Sequence, residues 1–178
     1  MSDATLNHDS PLLSARDLQV RFGGVLAVNQ VSFDVKRGEI FTLIGPNGAG
    51  KTTVFNLISR FYVPTAGTLE FDGVMLNKVP PYRVAELGIA RTFQNIELFE
   101  YATVLQNLLI GGHVHRKTGF LADLFHTPKV RQAEVDAREE AEKVIEFLDL
   151  QPYRDTLVAG LPYGIRKVVE LARALCTR

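Results

Sequence analysis

The clearest chemical signal in the sequence is GPNGAGKT at residues 45–52, which matches the pattern GxxxxGK followed by Ser or Thr. Glycines allow a backbone to wrap closely around phosphate oxygens, with its amide hydrogens pointing inwards. In such a loop Lys51 can reach the β- and γ-phosphates, and the Thr52 hydroxyl can bind Mg²⁺. The motif therefore predicts a site for a nucleoside triphosphate, with a chance glycine-rich turn as the alternative.

The elements on either side of this loop suit that chemistry. Residues 40–44 are almost continuously apolar, which predicts a strand buried on both faces, as in a parallel sheet. The segment after Lys51 places Val54, Leu57 and Ile58 at helical spacing, so a helix is predicted there. A phosphate bound between this strand and helix would lie at the helix N-terminus, where the partial positive charge favours anions.

Other stretches alternate apolar and polar residues and predict a second, antiparallel type of sheet. The apolar positions of the two clearest stretches are Leu18, Val20, Phe22, Val31, Phe33 and Val35. Asp72-Gly73 predicts a hairpin between two further strands. Together with the buried run, these patterns indicate an α/β core that carries a β-rich flap.

The remainder of the chain is predominantly helical in pattern. A short helix is predicted at residues 81–88 and a longer helical region at residues 103–150. Its clearest helix, at residues 130–150, carries an apolar stripe of Ala137, Ala141, Val144, Ile145 and Leu148. Ion pairs are expected along its exposed side, at Glu134–Arg138 and Glu139–Lys143.

Composition and charge exclude several classes of protein. The 178 residues carry 20 basic and 20 acidic side chains, so net charge gives no argument for binding nucleic acid. A single cysteine, Cys176, excludes an internal disulfide framework and suits a reducing compartment. The polar N-terminus has no apolar segment typical of a signal peptide, so a soluble, cytoplasmic chain is expected. His113 and His115 are interpreted as loop residues rather than metal ligands.

The order and spacing of four segments resemble the ATPase subunits of ABC transporters. These segments are RFGG, GPNGAGKTT, RTFQN and LPYGIRKVVELARAL, and the similarity covers nearly the whole chain. The segment GIARTFQNIELF and the Tyr-Gly turn resemble the group that serves branched-chain amino acid importers. The resemblance implies a P-loop NTPase core at residues 1–94 and 161–178, with an antiparallel β subdomain, and an inserted helical subdomain at residues 95–160.

The resemblance also implies roles for individual residues. Lys51 and Gln94 would be the catalytic residues, and Thr52 and Gln94 would bind Mg²⁺. Phe22 would stack on adenine, although a core position on its own strand is an open alternative. The residues implied in binding ATP are Phe22, Gly45, Asn47, Gly48, Gly50, Lys51, Thr52 and Thr53.

The segment LPYGI stands where the family carries its signature turn, which contacts ATP held by a partner subunit. The implied residues are Leu161, Pro162, Tyr163, Gly164 and Ile165, with a helix beginning near Gly164. Pro162 removes a hydroxyl and a backbone N–H from the common Leu-Ser-Gly-Gly-Gln form, and Ile165 cannot donate as glutamine would. The contact would then depend on backbone amides and the helix dipole.

By resemblance, the partners would be a second ATP-binding subunit in a head-to-tail dimer, membrane permease subunits and, indirectly, an extracytoplasmic substrate-binding protein. The location would be peripheral, on the cytoplasmic face of the inner membrane, with no nucleic acid bound. The family continues into a strand ending in Asp-Glu and a switch histidine, so the sequence is interpreted as incomplete at its C-terminus and unable to hydrolyse ATP. The alternatives are a soluble ABC ATPase without a permease, or a fragment that only binds nucleotide.

Overall fold

The computed structural model describes residues 10–93, 95–115 and 128–177. The chain divides into two compact units, Met1–Val84 and Ala85–Arg178. The first contains strands β1 (Leu13–Phe22), β2 (Val25–Val35), β3 (Ala66–Phe71) and β4 (Val74–Met75) and helix α1 (Lys51–Ile58). The second contains helices α2 (Val104–Gly111), α3 (Pro128–Phe147) and α4 (Tyr163–Leu175). Short 3-10 turns lie at Leu76–Lys78, Pro81–Arg83, Ala85–Leu87, Gly112–His115, Gln151–Tyr153 and Val158–Gly160.

The four described strands form one sheet in the order β2-β1-β3-β4, and all three pairings are antiparallel. Leu18 and Val20 are buried, so the predicted alternation along β1 is confirmed for these two residues. The hairpin predicted at Asp72-Gly73 joins β3 to β4. Gly67 has a φ of 90° where the register of β1 and β3 shifts, and a Cβ there would lie 2.4 Å from the Asp17 carbonyl oxygen. Glycine is therefore required at this irregularity.

The buried parallel strand predicted at residues 40–44 is wrong for this structure. These residues form no strand, and the side chains of Ile40 and Ile44 are 95% and 92% exposed. A strand buried on both faces needs neighbouring strands and covering layers. None of the strands in the described part of the chain pairs with residues 40–44. The apolar composition of residues 40–44 predicts burial, but the described strands and helices do not bury them.

The second unit has a helical core in which α2, α3 and α4 contact one another. On α3, Ala141 and Ile145 are buried, as the predicted stripe requires. They pack with Val104, Leu105, Leu108, Leu150, Val158, Leu161, Val169, Ala172 and Cys176. Thr103 begins α2 with a reciprocal capping box, in which its side chain accepts from the Gln106 backbone and the Gln106 side chain accepts from the Thr103 backbone.

Two local predictions in the helical part of the chain need correction. Residues 81–88 form two 3-10 turns, Pro81–Arg83 and Ala85–Leu87, rather than one helix. Lys143 pairs with Glu140 at 2.5 Å and not with the predicted Glu139. Both spacings fall on the same exposed side of α3, so sequence alone does not select between them.

An ion pair joins α3 to the turn that follows it. The Arg154 guanidinium donates from Nε to both carboxylate oxygens of Glu142, at 2.9 and 3.0 Å. This hydrogen bonding, opposed by partial burial, lowers the pKa of the Glu142 carboxyl. The division of the chain into a core at residues 1–94 and 161–178 and a helical lobe at residues 95–160 stays a prediction.

Candidate functional site

The glycine-rich loop and the start of α1 surround a cavity in the first unit. Its volume is about 250 Å³, and it is lined by Ala27, Asn47, Gly48, Gly50, Lys51, Thr52 and Thr53. Five of these seven residues belong to the predicted phosphate loop at residues 45–52, and Thr53 follows it directly. Cavities for drug-sized ligands are roughly 300–1,000 Å³, so this space suits a phosphate chain rather than a whole nucleotide.

The loop conformation explains why particular positions are glycine. Gly48 and Gly50 have φ values of 83° and 79°, in the left-handed region that favours glycine. A Cβ on Gly50 would also lie 2.4 Å from the Ala27 carbonyl oxygen. The backbone must pass this close to β2 for Gly50 to cap α1, which begins at the next residue. The motif thus brings the N-terminus of α1 to the cavity.

The ammonium group of Lys51 turns back over the loop. Its Nζ donates to the carbonyl oxygens of Gly45 and Pro46, at 2.7 and 2.6 Å. These bonds place a positive charge beside the cavity at the N-terminus of α1, where the helix dipole also favours an anion. The cavity therefore has the charge and the glycine-rich backbone expected for a phosphate group. Thr52, the predicted Mg²⁺ ligand, is an exposed residue of the cavity lining.

Phe22 ends β1 and is 44% exposed. Its ring meets the ring of Tyr62 edge-on, with centroids 4.9 Å apart and planes at 69°. The alternative that Phe22 is a core residue is therefore wrong. An exposed aromatic ring held by a second ring is a suitable surface for stacking a base.

Gln94 lies outside the described residues, so its predicted contacts with Mg²⁺ and water are not tested. Its neighbour in the sequence, Phe93, is held by α4. The Phe93 N–H donates to Glu170 Oε1 at 3.1 Å, and the Phe93 carbonyl accepts from Lys167 Nζ at 3.1 Å.

The predicted signature turn lies in the second unit at the start of α4. Pro162 is the N-cap, and the helix begins at Tyr163, one residue before the predicted Gly164. Leu161 is buried, Ile165 is half-buried, and Pro162, Tyr163 and Gly164 are exposed. The turn therefore presents a helix N-terminus to solvent while Leu161 anchors it in the core.

Arg166 fixes this turn, and the motif comparison did not predict its role. Its Nε donates to the Leu161 carbonyl at 3.1 Å and one terminal nitrogen donates to the Ala159 carbonyl at 2.6 Å. The other terminal nitrogen lies 3.4 Å from a Glu100 carboxylate oxygen. A guanidinium supplies several donors in a fixed plane, so one side chain can hold several carbonyls together.

Two buried polar residues were also missed. Asn107 is 0% exposed and Glu170 is 2% exposed. The sequence signal for both was a polar residue in an otherwise apolar stretch of helix, since Asn107 follows VLQ and Glu170 follows VV. Buried polar groups normally have hydrogen-bond partners, so such positions indicate a defined local geometry.

Two general searches covered only the described ranges. No cluster of three or more His, Cys, Asp or Glu side chains suited to a metal ion occurs among those residues. None of the helices described combines the length and the apolar character needed to cross a membrane.

Comparison with known proteins places the chain in a family. The sequence model of the ABC transporter family matches residues 28–178. The chain therefore belongs to the ABC transporter family. The predicted fold class, an ABC ATPase cassette with mixed α/β content, is confirmed by the solved structures that the chain resembles.

The most informative curated relatives share one description. The chain is 43% identical over 168 residues to the high-affinity branched-chain amino acid transport ATP-binding protein BraF of Pseudomonas aeruginosa. It is 42% identical over 168 residues to the protein LivG of Escherichia coli strain K12, which carries the same description. Both alignments cover 94% of this chain and 66% of the relative, so the chain spans about two thirds of these relatives' length.

Solved structures give the same result for the fold. A nucleotide-free ATP-binding cassette from an ABC transporter is 34% identical and superimposes with a TM-score of 0.75. The ADP conformation of an ATP-binding cassette of an ABC transporter is also 34% identical, with a TM-score of 0.77. Each match covers 94% of this chain and 65% of the solved chain.

Proposed function

We propose that this chain belongs to the ATP-binding, ATP-hydrolysing motor subunit of an ABC importer for branched-chain or related amino acids. The observation that carries the proposal is the cavity at the start of α1, lined by the glycine-rich loop and by Lys51. The names of the relatives BraF and LivG support the class of transported substrate.

ATP with Mg²⁺ is the proposed ligand, with its phosphate chain in this cavity. The backbone N–H groups of Gly45, Asn47, Gly48 and Gly50, the N-terminus of α1 and the Lys51 ammonium would bind the phosphates. Phe22 would stack on the adenine ring. Thr52 would hold Mg²⁺ through its hydroxyl, with Gln94 as the second proposed ligand. When bound, Mg²⁺ would neutralise charge on the β- and γ-phosphate oxygens.

The turn at residues 161–165 is proposed to contact ATP bound by a second copy of the subunit or by a paralogue. Pro162 has no N–H, and the Ile165 side chain has no donor. The proposed contact is therefore made by the exposed N-terminus of α4, with the Gly164 amide as a donor. Arg166 would keep the turn in place through the Leu161 and Ala159 carbonyls.

Permease subunits at the cytoplasmic face of the inner membrane are the proposed membrane partners, with a substrate-binding protein acting indirectly. The apolar segment IELF at residues 96–99 is a candidate docking surface for these subunits. Phe99 is 55% exposed and Tyr101 is 90% exposed, which supports a docking role for these two rings. Leu98 packs against the helical core and is assigned to that core instead.

The nucleotide site is tested with Lys51→Ala, measured by calorimetry with ATP and Mg²⁺. Removing a charge-assisted contact to phosphate should weaken binding by about 2–3 kcal/mol, or roughly 30- to 150-fold. Lys78→Ala is the matched control, because Lys78 is an exposed lysine of the same unit and lies outside the cavity. Equal affinity of wild type and Lys51→Ala would contradict the site.

Two other functions are separated by further measurements. A soluble ABC ATPase would hydrolyse ATP without co-purifying with a permease, and a nucleotide-binding fragment would bind ATP without turnover. The expectation that these 178 residues bind ATP weakly at best and show no turnover above background stays a prediction, and a single-turnover assay of this chain tests it.

A further inference from the structure

One face of α4 holds a stretch of main chain that has no regular secondary structure. Lys167, Glu170 and Arg173 are spaced three residues apart and therefore lie along one side of the helix. Lys167 and Glu170 bond both backbone groups of Phe93, as described above. An Arg173 terminal nitrogen donates to the Glu97 carbonyl at 2.6 Å. This face of α4 thus bonds the main chain at Phe93 and at Glu97, which precede and follow position 94 in the sequence.

The chemistry of Glu170 indicates that this arrangement is specific. Its carboxylate is almost fully buried, yet both oxygens have partners. Oε1 accepts from the Phe93 N–H, and Oε2 lies 3.1 Å from Lys167 Nζ. Taking a carboxylate out of water is costly unless it is paired and hydrogen-bonded, and an apolar residue would fill the same space without this cost. The Lys167–Glu170 pair therefore fixes the position of the Phe93 main chain and does not serve stability alone.

The same lysine also contacts the predicted signature turn. Lys167 Nζ lies 6.0 Å from the centroid of the Tyr163 ring, one helical turn earlier on α4. This distance is at the limit of a cation–π interaction. Among the described residues, Lys167 thus contacts an exposed ring of the turn, a buried carboxylate and the Phe93 carbonyl. A change at the turn can reach Phe93 through a single side chain.

We propose that Lys167, Glu170 and Arg173 are positioning residues that keep the main chain at Phe93 and Glu97 in register with the turn at residues 161–165. This inference rests on the proposed function, because it assigns the turn to ATP of a partner subunit and residues 99–101 to permease docking. The role of the three residues is to couple these two surfaces. Losing them should lower the amount of substrate moved per ATP hydrolysed, with ATP binding left intact.

The test uses the complete transporter in proteoliposomes with variants Glu170→Ala and Glu170→Gln. Hydrogen exchange of the backbone reports the contacts directly, and leucine uptake divided by ATP hydrolysed reports coupling. Glu170→Ala should speed exchange at the Phe93 amide and lower the coupling ratio by about 2- to 30-fold, the range found for residues that link sites. Glu170→Gln keeps an acceptor for the Phe93 amide, so its exchange should stay near wild type, although its pairing with Lys167 is weakened.

Glu146→Ala is the matched control, because Glu146 is an exposed glutamate of α3. It should leave exchange and coupling at wild-type values. The inference is overturned if exchange at Phe93 is unchanged in Glu170→Ala. It is also overturned if uptake and hydrolysis fall in parallel, since that outcome assigns Glu170 to fold stability only.

Failure of the proposed function is recognised separately with Lys51→Ala. If that variant keeps full ATP affinity, or if the wild-type assembly moves no leucine, the proposed function fails. Hydrogen exchange at the Phe93 amide still shows whether Glu170 holds Phe93, because that measurement requires neither ATP nor a transported substrate.

Discussion

Two segments without regular secondary structure carry predicted site residues, and they are held in different ways. Residues 36–50 in the first unit use mainly their own local bonds, such as the Ala49 N–H to the Pro46 carbonyl at 3.2 Å and Lys51 to Gly45 and Pro46. In the second unit, Phe93 and the described residues 95–103 form the other segment. Its main chain is held at Phe93, Glu97 and Phe99 by side chains from two helices, namely Asn107, Lys167, Glu170 and Arg173.

This difference fits the work that each segment is proposed to do. A loop that binds phosphate through backbone amides cannot commit those amides to protein acceptors. Its shape then depends on glycine torsions, as at Gly48 and Gly50, and on short turns. A segment that couples two surfaces needs its main chain fixed to a rigid element. Hydrogen bonds from buried polar side chains fix it in this way. The comparison predicts that substitutions in the two segments differ strongly in their effect on stability.

Among the residues that hold these two segments, Asn107 is expected to contribute most to stability, and Asn107→Ala tests this. Asn107 Oδ1 accepts from the Phe99 N–H at 2.9 Å, and Nδ2 donates to the carbonyls of Phe99 and Thr103 at 3.1 and 3.0 Å. Alanine would leave the Phe99 N–H without this acceptor, whereas the Phe99 and Thr103 carbonyls would keep their bonds from the Ala102 and Asn107 N–H groups. The free energy of unfolding should therefore fall by about 1–3 kcal/mol. Urea denaturation of this chain measures it.

Asn29→Ala, at an exposed position of β2, is the control and should change the free energy of unfolding by less than about 0.5 kcal/mol. A loss below about 1 kcal/mol for Asn107→Ala would indicate that local bonds suffice in the second segment too, and the contrast between the segments would disappear.

The sequence predicted the elements whose signals are local. The glycine pattern located the loop, the 3.6-residue period located α1 and α3, and Asp72-Gly73 located a hairpin. The predicted signature turn located the start of α4 to within one residue. It predicted Glu139 as the partner of Lys143, whereas the structure has Glu140, because both spacings place the partner on one exposed face. It also predicted a strand at residues 40–44 that the structure does not have. Apolar composition indicates that residues favour burial, but it does not show whether neighbouring strands are present to bury them.

The site could be predicted as a list of residues but not as a set of contacts. The motif identified Lys51 and the positions around it. The role of Arg166 depends instead on the Leu161 carbonyl, 5 residues away in the sequence, and that of Glu170 on the Phe93 N–H, 77 residues away. Such pairings are set by tertiary packing, for which single-sequence patterns carry no signal.

The second prediction concerns Cys176, which lies in the core of the second unit. Burial raises the pKa of its thiol to about 11, with a smaller contribution from Glu140. Only the thiolate is nucleophilic, so alkylation at pH 8 should be about a hundredfold slower in the folded chain than in urea. Because the folded pKa is raised, the stability from the buried neutral thiol is present below the unfolded pKa of 9.0 and is lost as pH rises through about 11.

Alkylation with iodoacetamide, followed by mass spectrometry between pH 7 and pH 11, measures this effect. Equal alkylation rates in the folded and urea-unfolded chain would show that the helical core opens readily. The helices of the second unit would then not be the rigid elements that the comparison of the two segments requires.

The smallest effect is expected at Ile44. In this chain its side chain is 92% exposed, so Ile44→Ser removes apolar area that water already contacts. The free energy of unfolding should therefore change by less than about 0.5 kcal/mol. Leu57→Ala is the control, because Leu57 lies on α1 in the same unit with 1% exposure and should cost about 2–5 kcal/mol. A loss near 2 kcal/mol at Ile44 would mean that residues 40–44 are buried after all, which would restore the parallel-strand interpretation and tie the phosphate loop to a sheet.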